Sequence, residues 1–335
     1  GRRAGKPHPA QNRRRDPLPP RMLRIAGMPI VLIENFRAVF YAPFYAACST
    51  GAYVAEGLEV ELKVAAELGK ALQAVTAGAG QVSWGGPLRI LAALDQDPKC
   101  GYAAFCEVVG RDPFFLVGRT RNPGFALAQL PRWTLATVSE VPTPWICLQH
   151  DLRQAGIAPS AVKLARARTM AESAAALRAG EVDVIQVFQP YAQALVDEGA
   201  GHIWYAAASR GPTSYTSFNT TRGFIEREPE AVLRLTRAMY RTLQWIAARD
   251  GRALAEAIAG YFPDVPVARL AACCDRYQSL GLWNRTPVLQ REGLEFLRDA
   301  MLGAGAIRTR FTYEDCVDMR FAEQVMREDP PPISS

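Results

Sequence analysis

At 335 residues the chain exceeds the ~100–200 residues usual for one domain, and 49% hydrophobic content is enough to bury one or two cores, so two domains are expected. Arg, Asp, Glu or Gly interrupts every apolar run well short of the ~20 residues a membrane-spanning helix needs, and a soluble protein is expected. The formal charge of +6 resides in residues 1–21, where seven basic residues face the single acid Asp16, so the rest is neutral overall and lacks the basic surface that tracks phosphates; no nucleic-acid partner is expected.

Residues 1–21 are rich in Pro and Arg, hold almost nothing apolar to bury, and are expected to form a disordered leader. A secretory signal would follow its basic region with roughly 7–15 apolar residues and a small-residue cleavage site, and neither is present. The run Met22 to Ile33 carries Arg24, Gly27 and Pro29, and reads as a first β-strand.

From Met22 onward, short β-type runs alternate with helical patterns, the signature of a parallel sheet covered by helices. A strand over 23–33 leads to a helix near Pro43 to Tyr53, a strand 58–64, a helix 68–77, a strand 81–84, a helix opening at Pro87 and a strand 102–109. A second unit follows with a strand 114–118, an extended stretch 133–138 and a helix opening around Thr143 and Pro144. It continues with a strand 162–167, a helix 171–179, a strand 182–187, a helix 190–198 and a strand 202–206. After an extended run near 215–219 the chain is predicted to be almost wholly helical from Pro229 to Glu328.

One internal echo supports two similar units. Ala71-Leu72-Gln73-Ala74 leads to Gly78, Val82 and Pro87, as Ala176-Leu177-Arg178-Ala179 leads to Gly180, Val184 and Pro190. Both read as helix, glycine stop, buried strand, turn and Pro-started helix.

Ligands of open parallel sheets bind beyond the carboxyl ends of the strands, which selects the candidate ligand-binding residues. The polar candidates are Asn35, Ser83, Ser139, Thr143 and Gln186, and Glu107 stands at a predicted strand end. The aromatic candidates are Phe36, Phe40, Tyr41, Trp84, Trp145, Phe188, Tyr191 and Tyr215, flat walls suited to a planar or heterocyclic ligand. Gly85 and Gly86 let backbone approach a ligand closely. Arg37, Lys70 and Arg111 are weaker candidates, each more readily explained as a solvated or ion-paired charge.

The seven cysteines are odd in number, scattered and without a C-x-x-C pair, so neither a disulfide framework nor a metal site is expected. Gly80-Gln81-Val82-Ser83-Trp84-Gly85 is one residue too long before the serine for a nucleophile elbow.

The order and spacing of five segments resemble periplasmic-type solute-binding proteins of the sulfonate, taurine and thiamine-pyrimidine-precursor family. They are FYAPFYAACSTGAYVAEGLEVEL (40–62), AVTAGAGQVSWGG (74–86), DPFFLVGR (112–119), LRAGEVDVIQVFQPYAQAL (177–195) and GFIEREPEAVLRLTRAMYRTL (223–243). The resemblance, over about residues 23–305, implies an α/β fold of two lobes, each a mostly parallel sheet covered by helices, with a helical C-terminal tail. It implies a first lobe of residues 22–110 plus 213–335 and a second of 111–212, with hinges near 111 and 212. It further implies a monomer that traps a small-molecule ligand for an ABC-type membrane permease, without cofactor and without chemistry.

Such proteins are periplasmic, whereas the sequence shows no signal peptide, which leaves a cytoplasmic location open. The alternative function is a cytoplasmic enzyme or sensor related to thiamine pyrimidine synthases. Those enzymes carry a Lys for pyridoxal phosphate, a His four residues later and a cysteine-rich motif. Their Gly-x-Lys segment, set on Gly85, brings Pro87 and Leu91 to the Lys and His positions, so no enzyme is expected.

Overall fold

A computed structural model describes residues 28–333; the predicted leader and the start of the first predicted strand, up to residue 27, lie outside the described residues. Ten strands form two sheets. The first four are β1 (Ile30–Glu34), β2 (Val60–Val64), β3 (Val82–Gly85) and β4 (Tyr102–Val109). A second group follows, β5 (Phe115–Gly118), β6 (Thr134–Ala136), β7 (Lys163–Leu164), β8 (Val184–Val187) and β9 (His202–Ala206), and the chain then returns through β10 (Thr216–Thr221).

The sheets have the orders β2-β1-β3-β10-β4 and β7-β6-β8-β5-β9. In each, four strands share a direction and one runs against its neighbours, β10 in the first and β5 in the second. These opposed strands are the ones that follow the crossings between sheets, so each crossing inserts a reversed strand into an otherwise parallel sheet. The two-lobed α/β architecture, mostly parallel in each lobe, is as expected from the sequence.

The echo between 71–87 and 176–190 has a structural basis. β3 and β8 each occupy the middle of their sheet, each follows a helix that ends at a glycine turn, and each precedes a helix entered at a proline. Gly78 and Gly180 have φ of +79° and +74°, the left-handed conformation that glycine adopts without Cβ strain.

Several boundaries differ from expectation. The helix foreseen near 43–53 breaks into Ala42–Ser49 and Ala52–Ala55 around Gly51, at φ +74°. The strand foreseen at 162–167 contracts to two residues, both exposed, at the edge of its sheet. The tail holds the amphipathic helix Pro229–Ala247, which buries Ala231, Leu235, Ala238 and Ile246 at helical spacing, and several shorter helices. Residues 280–290, expected to be helical, instead run as turns and extended backbone, and Trp283 and Val317 bridge to Val109 and Ala104 of β4. This lining covers the free edge of β4, whose eight residues are all buried.

The tail also reaches the second lobe. The helix Val267–Ser279 brings Tyr277 to both crossings' surroundings, where its wholly buried hydroxyl donates to Pro113 O at 3.1 Å and accepts from Gln189 N at 2.9 Å. The helix Arg291–Gly303 packs on Thr143–Gln154 of the second lobe, with the His150 and Phe296 rings 4.9 Å apart.

Where the two crossings pass each other, Arg210 is buried between two carboxylates. Its Nη1 donates to Asp112 Oδ2 at 2.8 Å, and its Nε donates to Asp151 at 2.9 and 3.0 Å. Asp112 Oδ1 accepts the Phe114 N–H at 2.9 Å, and Arg111 Nη1 donates to Ala208 O at 3.1 Å. Burial raises the Asp112 pKa, and the Arg210 charge opposes that rise.

Candidate ligand cleft

The carboxyl ends of β1, β3 and β8 point into the gap between the lobes, and two connected spaces lie there. The outer is a cavity of about 500 Å³. It is walled by Phe36, Arg37 and Leu68 from the first lobe, Glu140, Met170, Phe188 and Tyr191 from the second, and Tyr261 to Val265 from the tail. The inner is a niche of only about 20 Å³, enough for one water-sized body, between Asn35, Phe40, Tyr41, Gly86, Arg89, Phe114, Thr143 and Tyr215. Phe36 lines both.

The division between them is aromatic. Phe188, one residue past β8, stacks on Phe36 at 6.1 Å with the ring planes 4° apart. It also meets Phe40 and Phe114 edge-on, each at 5.2 Å. Phe40 in turn stands perpendicular to Tyr215 at 5.8 Å. A second-lobe ring thus inserts among first-lobe and crossing rings, so the lobes are closed on each other. The edge-to-face geometry is the one aromatic quadrupoles favour.

Asn35 sets the shape of the niche floor. Its amide donates to Trp84 O at 3.3 Å and accepts from Ala71 N at 3.1 Å, joining the ends of β1 and β3 to the start of the helix Ala71–Thr76. At Gly85 a Cβ would stand 2.8 Å from the Asn35 amide nitrogen, so the absent side chain makes room for this tie.

In the outer cavity the charge is largely settled within the protein. Arg37 Nη2 lies 2.7 Å from Glu34 Oε1, and its guanidinium covers the Tyr45 and Tyr261 rings at 4.9 and 5.2 Å. Glu34 is fully buried; desolvation raises its pKa, opposed by the Tyr45 hydroxyl and the Arg37 charge. Glu140 accepts the Met170 N–H at 3.0 Å.

Of the residues chosen from the sequence, Asn35, Phe36, Phe40, Tyr41, Gly86, Thr143, Phe188, Tyr191 and Tyr215 line one space or the other. The remaining seven line neither. Trp84 is wholly buried under Phe44, their rings 4.5 Å apart and 10° from parallel. Ser83 is buried and points to Asn219 O at 3.4 Å, and Gly85 packs against Asn35. Gln186 donates to Pro144 O at 2.9 Å within the second lobe, and Trp145 packs on the second-lobe core. Ser139 is exposed, with its N–H bonded to Arg168 O at 2.9 Å. A strand residue points to one sheet face or the other, and for Ser83, Trp84 and Gln186 that face is covered by protein.

Glu107 lies away from the cleft. Its carboxylate is buried in β4 and accepts from Asn284 Nδ2 at 2.8 Å and Gln290 N at 3.2 Å, anchoring the 280–290 segment. Burial raises its pKa to about 7, against bonds from Ser214, Asn284 and Gln290 that lower it. The folded state therefore holds a proton that the unfolded chain, at its usual 4.5, releases, so this group's stabilisation is present below pH 4.5 and is lost as pH rises to about 7. Glu107→Gln is expected to remove a loss of about 3 kcal/mol over that window. Denaturant titrations at pH 5 and 8 would measure it; a variant whose pH dependence matches the parent would show that Glu107 is ionised throughout.

Arg89, Phe114, Glu140, Met170 and the Tyr261–Val265 wall were not anticipated. Pro263 and Pro266 break the helical pattern and signal a loop at 262–266, but nothing local says that it reaches the cleft. Arg89 reads in sequence as an ordinary first-turn residue of a helix.

Among the described residues, no three His, Cys, Asp or Glu side chains cluster as metal ligands, and no helix is long and apolar enough to cross a membrane. All seven cysteines are unbridged.

A model of the NMT1-like family matches residues 119–260. The chain is 24% identical to YtlA of Bacillus subtilis (strain 168), provisionally named a binding protein, over 301 residues, 89% of this chain and 90% of YtlA. Among solved structures, the periplasmic aliphatic sulphonate binding protein SsuA from Escherichia coli superposes with a TM-score of 0.69 at 13% identity, over 88% of this chain and 99% of SsuA. The desulfurization enzyme DSZB superposes with a TM-score of 0.63 at 15% identity, over 90% and 100% of the two chains. At these identities the structural likeness establishes the fold. The matches bear out the resemblance to periplasmic-type binding proteins drawn from the sequence, and the one fold carries both binders and an enzyme.

Proposed function

We propose that this protein is a solute-binding protein that captures a small planar organic molecule between its lobes and delivers it to an ABC-type membrane permease, acting outside the cytoplasmic membrane. In this reading residues 22–110 with 213–335 form one lobe and 111–212 the other. The observation that carries it is the interleaving of Phe36, Phe40, Phe114 and Phe188 across the gap between lobes. Rings that meet only when the lobes close lose their contacts when the lobes part, and a flat ligand between them would restore the lost contacts. Binding and closure are then linked. The binding-protein relative and the sulfonate-binding neighbour support the same reading.

Binding without turnover accords with the lining. Phe36, Phe188, Met170, Leu68 and Tyr191 offer area and stacking, and Arg37 already pairs with Glu34. Phe188→Ala is expected to weaken ligand binding by about tenfold or more, since a buried aromatic anchor contributes on the order of 1–2 kcal/mol. Calorimetry with whatever small molecule mass spectrometry finds retained through purification would measure this. Equal affinity in variant and parent, or conversion of that molecule into a product, would defeat the reading.

A further inference from the structure

We propose that Arg89 is the receptor for a singly charged oxyanion, and that the solute is an aromatic acid whose carboxylate or sulfonate enters the inner niche while its ring occupies the outer cavity. This rests on the solute-binding reading and names the ligand class of that site.

Arg89 stands in the first turn of the helix Leu88–Gln96 and its half-buried side chain lines the niche. Nη1 donates to Gly69 O at 2.6 Å, and among the described residues no carboxylate lies within ion-pair distance. The other cations near the gap are provided for: Arg37 has Glu34, and Arg210 has Asp112 and Asp151. The ionisable groups acting on Arg89 are the phenols of Tyr41 and Tyr215, whose own pKa values burial pushes up, so both are neutral. Burial lowers the Arg89 pKa, yet an arginine stays protonated in water-accessible protein, and a guanidinium offers five N–H donors in a planar fork. One of its donors is used by Gly69. A planar two-oxygen acceptor is the natural complement to the rest.

The placement of Arg89 is built into the backbone. Gly69 has φ +80°, and a Cβ there would stand 2.9 Å from Arg89 Nη1. A side chain at 69 would push the guanidinium off its carbonyl support.

The niche sets the charge and shape. Of the residues that line it, Arg89 alone is charged, which suits a monoanion over a phosphate monoester. Phe36, Phe40 and Phe114 surround the approach, and Phe36 is shared with the larger outer cavity. At about 20 Å³ the niche admits a head group only when Phe36 and Phe188 separate, so the acid would enter the open form and be enclosed on closure.

The test uses the full chain and four probes: benzoate, benzenesulfonate, phenyl phosphate and the uncharged isostere benzamide. Calorimetry and thermal shift are expected to show benzoate or benzenesulfonate binding about 10- to 100-fold more tightly than benzamide, the scale of a charge-assisted bidentate pair. Which of the two acids is tighter separates carboxylate from sulfonate recognition. Arg89→Gln should reduce the acid to the level of benzamide, and Arg89→Lys should keep part of the preference. Benzamide binding as well as benzoate, phenyl phosphate binding best, or an Arg89→Gln variant with parental acid affinity would overturn the proposal. Should Arg89→Gln fail to fold, the acid-to-amide comparison on the parent protein decides it. A retained neutral ligand would sink the oxyanion inference alone. No binding by any probe, with no small molecule retained, would sink the solute-binding reading with it.

Discussion

Arg210→Ala is expected to destabilise the protein by about 3–5 kcal/mol, because it strands two carboxylates at a site closed to water. Arg210 is the shared partner of Asp112, at the first crossing, and Asp151, on the helix Thr143–Gln154. Its guanidinium also lies 5.3 Å from the Phe296 ring of the tail, so one side chain ties both crossings to the second lobe and to the C-terminal helices. Asp112 is 1% exposed and can meet the loss only by taking up a proton. The destabilisation should therefore shrink as pH falls below the range in which Asp112 is ionised. Urea unfolding at pH 7 and pH 5 would measure both effects. A variant with parental stability at neutral pH would show that the network is relaxed by water. Arg210→Met, which keeps the volume and removes the charge, leaves the same two acids unpaired and should fare little better.

Trp84→Ala should cost about 3–5 kcal/mol of stability and leave ligand affinity unchanged, the opposite pattern to Phe188→Ala. Trp84 is fully buried in the central strand of the first sheet, stacked on Phe44 and edge-on to Tyr41 and Tyr45. Removing it opens a cavity among those rings that the surrounding sheet and helix cannot close. Unfolding free energy and calorimetric affinity, measured on the same preparation, separate the roles. A Trp84→Ala protein of parental stability but weakened binding would put the tryptophan in the cleft and refute this assignment.

The contrast between Trp84 and Phe188 shows how far the candidate site could be read in sequence. Both are aromatic, both stand at the end of a middle strand, and the echo sets them in matching units. Phe188 lies one residue past its strand, free to lean across the gap, whereas Trp84 lies within its strand and is committed to a sheet face. A shift of one residue reverses the side of a strand, and nothing in the sequence reports which side the helices will cover. Glu107 was misleading for a related reason. Its carboxylate is occupied by Asn284 and Gln290, about 180 residues further along the chain. Arg89 went unnoticed because its distinction is the lack of an acid beside it, a property of space and not of neighbours in sequence.

What the sequence determined by itself was the architecture. Alternating apolar runs and helical patterns, with glycines at helix ends and prolines at helix starts, are local signals that each segment carries in its own residues. They specified the βα units, the two-lobed α/β class, the repeat from one lobe to the other, and which loops stand at the carboxyl ends of the strands. Tertiary structure alone decided the rest: the reversed strands β5 and β10, the seam of tail residues along β4, the Arg210 network and the identity of the rings that meet across the gap. Each of these depends on contacts between segments far apart in the chain. Burial and pairing are free-energy differences set by the partner as much as by the residue, and the same Trp, Glu or Arg is core, anchor or receptor according to what folds against it.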